Sequence, residues 1–338
     1  MGYKFTAGSM NDLFKDLSKD YLLYGPTRFE GEGPYSDTDS IRYGVLETIE
    51  DLELKEKSHY SMKEVFLPIS ETLFYFTEDE VKTAKAPLQK EAIIFLRSCD
   101  LHSVKRLDAI YLDNGFEDFF YKRLREKIKF VLIGCPQSFD NCFCVDMETN
   151  KSDNYAASID LREGHYEMDL KEEAWTELFE KNASGKLDVQ PSFVTETKTR
   201  VELSDNIDPK VIAGHKFWDQ YDKRCIACGR CNFACPTCTC FSMQDLFYQD
   251  NGKAGERRRV HASCMVDGFT DVAGGGHYRA KHGQRMRFKT LHKVYDFKKR
   301  FGYHMCTGCG RCDDICPEYI SFSTMVTKVA RIAEGKED

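Results

Sequence analysis

Residues 225–236 read CIACGRCNFACP, and residues 306–317 read CTGCGRCDDICP. Both follow CxxCxxCxxxCP, so Cys225, Cys228, Cys231 and Cys235 recur in spacing as Cys306, Cys309, Cys312 and Cys316. Three thiolates at this interval, on a turn kept tight by Gly229 or by Gly308 and Gly310, can converge on one face of an iron–sulfur cubane. The fourth cysteine is expected to point away at the start of a short helix, with Pro236 or Pro317 removing a backbone donor where the chain turns. A pair of zinc sites is the competing reading, because CxxC pairs also suit tetrahedral zinc. Zinc would leave the third cysteine and the CP ending of each copy without a purpose.

The spacing is similar to that of two-cluster bacterial ferredoxins, in which the fourth cysteine completes the opposite cluster. That likeness implies one [4Fe-4S] cluster on Cys225, Cys228, Cys231 and Cys316, and another on Cys306, Cys309, Cys312 and Cys235. Small ferredoxins keep their two motifs close, whereas here an insert, 241–305, separates them. Between Lys253 and Arg300 it carries many Lys and Arg against Glu256, Asp267, Asp271 and Asp296, while the whole chain has a net charge of −7. Basic charge is thus gathered in one segment. It serves as a solvated face, as counter-charge for anionic clusters and a docking partner, or as a nucleic-acid surface; the second is favoured because a cubane on four thiolates is net negative.

The chain has 338 residues, 41% of them hydrophobic and 30% charged, which excludes disorder as a dominant state and allows two folded units. Its fifteen cysteines are clustered and odd in number, unlike a disulfide scaffold. Lys4, Asp12, Lys15 and Asp16 interrupt the first residues, so no signal peptide is read there, and no apolar run reaches membrane-spanning length. A cytoplasmic setting without a membrane partner is expected.

The fold expected is a mixed α/β unit over 1–215 followed by a ferredoxin-like dicluster unit over 216–338. Val65–Ile69, Leu73–Phe76, Ala92–Leu96 and Phe130–Ile133 carry the strand signal. Helical stretches near 101–111 and 118–127 lie between the last two, giving a β-α-β pattern with parallel neighbours. Residues 172–181 suggest an amphipathic helix, and 151–215 otherwise read as strands and connector. Cys99 and Cys135 follow the last two strands, at the carboxyl edge where open α/β sheets place ligands. Cys142 and Cys144, in NCFC, can fold back over that edge. A third [4Fe-4S] cluster on Cys99, Cys135, Cys142 and Cys144 is expected, against the blander reading of buried thiols packing as small apolar groups.

Cys238, Cys240 and Cys264 are read as packing residues or as thiols beside a cluster. His261, His277, His282 and His292 are read as surface or hydrogen-bonding groups. No HExxH, GxSxG, GxGxxG after a strand, or GxxxxGK[ST] occurs, and Asp37–Asp39 read as turn residues. No catalytic residue is assigned, and nicotinamide, flavin and sirohaem are not expected on this chain. Electron transfer remains.

LRSCDLHSVKRLD, FVLIGCPQSFDNCFCVDMETNKSDNY, RCIACGRCNFACPTCTCFS, GERRRVHASCMVDGFTDVAGG and HMCTGCGRCDDICPEYISFS together resemble the iron–sulfur electron-transfer subunit of anaerobic sulfite reductases. The likeness runs from about Ser36 to the C-terminal region. A more distant resemblance is to β subunits of cytosolic sulfhydrogenases, which share the SCD, NCFC and CPTCxC features; GERRR and SCM point to the sulfite reductase branch. The resemblance implies a three-subunit enzyme, in which a flavin- and NADH-binding subunit supplies electrons and a sirohaem-containing catalytic subunit reduces sulfite to sulfide. This chain would relay electrons between them. The alternatives are the β subunit of a sulfhydrogenase and, further off, an iron–sulfur regulator or nucleic-acid binder.

Overall fold

The structure is a computed structural model that describes residues 1–336. In chain order it runs β1 (Gly2–Phe5), α1 (Ala7–Leu17), β2 (Tyr21–Phe29), β3 (Ser40–Val45), β4 (Ser70–Phe76), β5 (Val81–Thr83), β6 (Glu91–Leu96), α2 (Ser98–Tyr111) and α3 (Phe119–Arg125). Then come β7 (Ile128–Ile133), β8 (Ala157–Arg162), β9 (His165–Asp169), α4 (Thr176–Asn182), β10 (Gly185–Leu187), α5 (Pro209–Gly214), α6 (Gln220–Arg224) and α7 (Arg230–Phe233). The remainder is β11 (Phe241–Phe247), β12 (Gly255–His261), the short pair β13 (Asp271–Val272) and β14 (Gly276–His277), α8 (His282–Leu291), α9 (Phe297–Phe301), α10 (Arg311–Asp314) and α11 (Phe322–Ala333).

An eight-stranded sheet in the order β10-β1-β9-β8-β7-β6-β2-β3 forms the N-terminal half. Its centre, β2, β6, β7 and β8, is parallel, with Leu96 beside Leu132. Strands buried on both faces need apolar side chains at every position. In β6, Ile93 and Phe95 accordingly meet α1 residues Leu13 and Phe14, while Ile94 and Leu96 meet Leu101, Val104 and Leu107 of α2. Each such side chain, fully buried, stabilises the fold by roughly 1.5–3 kcal/mol. The mixed α/β expectation and the parallel β6-α2-α3-β7 unit are therefore found.

One expected strand is not. Val65–Ile69 lies at the end of a 3₁₀ turn, Met62–Val65, and in the irregular chain after it. Phe66 and Leu67 are buried in the α2-side core, which explains their apolarity without a partner strand. Residues 172–181 divide into a 3₁₀ turn at Glu173–Trp175 and α4.

A second sheet, β11-β12-β4-β5, pairs the insert's hairpin with residues 70–83, on the other side of the boundary expected at 215/216. Much of the insert's positive charge is matched by nearby acids. Arg257 pairs with Asp245, Arg258 with Glu256, Arg259 with Glu71 and Asp118, Arg285 with Asp267, and Lys298 with Asp205. Asp39 accepts from Gly31 N and pairs with Arg28, as a turn residue should. Among the described residues no helix is long and apolar enough to cross a membrane.

His261 closes β12 with its imidazole held down to a pKa of about 4, chiefly by burial and then by the charges of Lys63 and Arg259. The folded chain therefore resists a proton that an unfolded imidazole, near pH 6.5, accepts. This contribution is complete above pH 6.5 and is lost as pH falls to about 4; a shift of this size corresponds to about 3 kcal/mol. His261→Gln is expected to lose less stability than the parent between pH 7 and 5 in anaerobic denaturant titrations. Parallel slopes would refute the assignment.

Candidate iron–sulfur centres

The two motifs build the same backbone twice. Cys225 caps α6, Cys231 lies in α7, and Gly229, at φ 74°, starts that helix. Cys312 lies in α10, which Gly310 starts at φ 72°. Ala227 N donates to Cys225 Sγ and Gly308 N to Cys306 Sγ, both at 3.4 Å. One expectation is corrected: Cys235 and Cys316 follow these one-turn helices and do not begin them. Each helix holds the third cysteine, and the fourth emerges at the next turn.

Both loops crowd their glycines, Gly229 in the first against the Val266 side chain, where a Cβ would lie 2.7 Å from Cγ2, and the glycines of the second against backbone. A Cβ on Gly310 would lie 2.2 Å from Asn141 O, and one on Gly308 2.6 Å from the Phe143 carbonyl. The loop is pressed against residues 141–144, with Phe143 N donating to Gly308 O at 2.8 Å. In the first loop the position of Gly308 is Ala227, also left-handed at φ 55°, and Cys228 there is exposed.

Three cavities are lined by the expected sets of thiols. Cys225, Cys228, Cys231 and Cys316 line the first, with Met265, Met286 and Phe322. Cys235, Cys306, Cys309 and Cys312 line the second, with Phe143, Lys289 and Lys293. The last cysteine of each motif thus sits with the first three of the other. Cys99, Cys135, Cys142 and Cys144 line the third, with Lys57, Arg97 and Arg311. Cys135 lies two residues beyond β7, and Cys99 three residues beyond β6, in the first turn of α2. Among the described residues no three Cys, His, Asp or Glu side chains come close enough to hold a single metal ion. Tetrahedral zinc would need sulfurs roughly 4 Å apart, so the geometry suits a wider cluster better.

Electrostatics provide a separate test of fit. Burial raises most of these thiols, Cys144 and Cys306 to about 12 and Cys99 and Cys312 well above the ordinary value, so the proton is favoured there unless something replaces it; Cys235 is the exception, lowered by its hydrogen bond with Cys238 and, against burial, by the nearby Lys293 and Lys63. Yet Lys63, Lys289 and Lys293 are buried near thiols of the first two sites and Cys238, and none pairs with a carboxylate among the described residues. Burial pushes the Lys289 ammonium down, but Cys231, Cys312 and Cys238 more than reverse this. An unpaired buried ammonium costs several kcal/mol. An anionic cluster carried by four thiolates is the counter-charge that these lysines fit, and thiolate ligation removes the protons that burial otherwise retains.

The third site has its own cations. Arg97 Nη1 donates to Cys135 Sγ at 3.3 Å and to Gly134 O at 3.1 Å. Lys57 Nζ reaches Cys309 O at 2.9 Å and Cys142 Sγ at 3.7 Å. None of these basic residues was singled out from the sequence. Two of them, Lys289 and Lys293, share a helical stripe with Arg285, spaced i, i+4, i+8 along α8 and the π-helical turn His292–Asp296, a spacing that by itself looks like a solvated face. That stripe faces inward, with all three side chains buried.

Residues 224–320 form a 4Fe-4S dicluster domain, the family whose profile they match. The motif pair and its exchange of cysteines lie within this domain, whereas Cys99, Cys135, Cys142 and Cys144 lie before it. Over nearly its whole length the chain is also similar to the beta subunit of sulfhydrogenase 2 from Pyrococcus furiosus. The two are 26% identical over 335 residues, covering 94% of this chain and 95% of the relative.

Proposed function

We propose that this chain is the electron-transfer subunit of a multisubunit oxidoreductase and holds three [4Fe-4S] clusters. The proposed ligands are Cys225, Cys228, Cys231 and Cys316; Cys306, Cys309, Cys312 and Cys235; and Cys99, Cys135, Cys142 and Cys144. The observation that carries this reading is that the three sets of thiols are near neighbours. Cys312 lines both the first and the second, and the Cys309 thiol lies within electrostatic reach of Cys99 and Cys144 in the third. A bound cubane supplies one-electron exchange. The chain's part is to hold the sulfurs, exclude water with Phe143, Met286 and Phe322, and supply buried positive charge. Cys228 leaves one end of the row at the surface, where a redox partner can approach.

For the assembly, GERRR and SCM favour an anaerobic sulfite reductase, with a flavin- and NADH-binding subunit on one side and a sirohaem-containing subunit on the other. The near full-length similarity to the beta subunit of sulfhydrogenase 2 supports the second reading, a sulfhydrogenase β subunit, equally. Anaerobic purification from the native cell separates them: a sirohaem protein in the complex supports the first and a nickel protein the second. Chemical analysis tests the centres themselves. About twelve irons and twelve sulfides per chain are expected, about eight would remove the third centre, and stoichiometric zinc without sulfide would end the proposal.

A further inference from the structure

Three cysteines remain outside the proposed ligand sets. Cys238 lies against Cys235, whereas Cys240 and Cys264 meet each other at the base of the β11–β12 hairpin. The hairpin makes this encounter. Phe241 pairs with His261, and Ala262 N donates to Cys240 O at 2.9 Å, so the residues just before β11 and just after β12 lie side by side. The Cys264 backbone N–H and the Cys264 side chain both hydrogen-bond to the Cys240 thiol. Asn232 Nδ2, next in sequence to Cys231, donates to Cys264 Sγ at 3.1 Å. Cys264 is buried and Cys240 is partly open to solvent.

We propose that Cys240 and Cys264 are a redox-active dithiol, a two-electron site beside the one-electron centres, that exchanges with low-molecular-weight disulfides. Cys240 is the attacking thiol and Cys264 the resolving one. Their proton affinities agree with these roles. The hydrogen bond from Cys264, opposed by burial and aided by Lys293 and Lys63, brings Cys240 down to about 6, while the same contact pushes Cys264 up. Near neutral pH the pair is therefore one thiolate and one thiol, and the thiolate is the nucleophile.

The exchange balances. The Cys240 thiolate attacks one sulfur of the small disulfide RSSR, forming a mixed disulfide and expelling RS⁻. Cys264 then gives up its proton and attacks Cys240 Sγ, releasing the second RS⁻. Overall two protein thiols and RSSR yield a protein disulfide and two RSH, with two electrons passing from the protein to the small disulfide.

Oxidised glutathione is the probe, added anaerobically to the iron-loaded full-length chain. The expected result is a Cys240–Cys264 disulfide found by peptide mass mapping, two thiols lost, bound iron unchanged, and reversal by dithiothreitol. Before oxidation, iodoacetamide at pH 7 should alkylate Cys240 at least tenfold faster than Cys264. Cys264→Ser should trap glutathione on Cys240, and Cys240→Ser should abolish both products. Retention of both thiols with iron intact would overturn the proposal, as would iron loss in step with thiol loss, which would make these sulfurs ligands. The three-centre reading is judged separately, by the iron and sulfide count of the chain before glutathione is added.

Discussion

Asp100→Ala is expected to destabilise the protein by about 3–5 kcal/mol, the cost of leaving one member of a buried ion pair uncompensated. Asp100 and Arg311 are both almost inaccessible, at 0% and 1% side-chain exposure. Arg311 Nη1 and Nη2 donate to the two carboxylate oxygens at 2.6 and 2.9 Å. The guanidinium also donates to Ser58 O at 2.9 Å and to Ser58 Oγ at 3.0 Å, so its planar fork joins three segments distant in sequence. Asp100 lies in the first turn of α2, where a negative charge is also favoured by the helix dipole. Arg311 begins α10, between Gly310 and Cys312. The pair therefore fastens the sheet's central helix to the second cysteine motif, with Cys99 of the third site next to it. Anaerobic denaturant titration should show the loss, and iron at the third site should fall with it. Replacing both partners with apolar residues should cost less than Asp100→Ala alone. A loss below about 1 kcal/mol for the single variant would show that the pair contributes no more than an exposed one.

How much of this was legible in the sequence depended on the range of the interaction. The motif spacing is a local property, and together with the likeness to two-cluster ferredoxins it pointed to the thiols that line the first two cavities. β6 and β7 were legible because burial on both faces makes them unbroken apolar runs. β1, β2 and β3 were not, since polar and glycine positions such as Lys4, Gly25 and Arg42 interrupt them. The opposite error arose at Val65–Ile69, where buried loop residues imitate a strand; a short apolar run cannot by itself distinguish the two. The pairing of β12 with β4 joins residues nearly two hundred positions apart and leaves no local periodicity to detect. Arg285, Lys289 and Lys293 have the spacing of an ordinary solvated helix face. Only the position of the thiols reveals that this face points inward.

Lys289→Met provides the sharpest electrical consequence of that inward face. Lys289 is 4% exposed and lines both the first and the second cavity, with Cys231 of one set and Cys312 of the other among the sulfurs that hold its charge. A fixed positive charge stabilises the more negative, reduced state of a neighbouring centre, so its removal should lower the potentials of both proposed centres in the dicluster domain. At an effective dielectric of about 20 and a separation of roughly 6 Å, one charge contributes about 3 kcal/mol. Since 100 mV acting on one electron is roughly 2.3 kcal/mol, the shift is on the order of 100 mV. Methionine keeps much of the length and fills the space without a charge. Lys289→Arg, which retains the charge, should move the potentials far less, and the third centre should remain close to its parent value in all variants. EPR-monitored redox titration separates the three signals and reads these shifts without any assay of turnover. Unchanged potentials in Lys289→Met, with full iron content, would mean that water or another group already neutralises this charge.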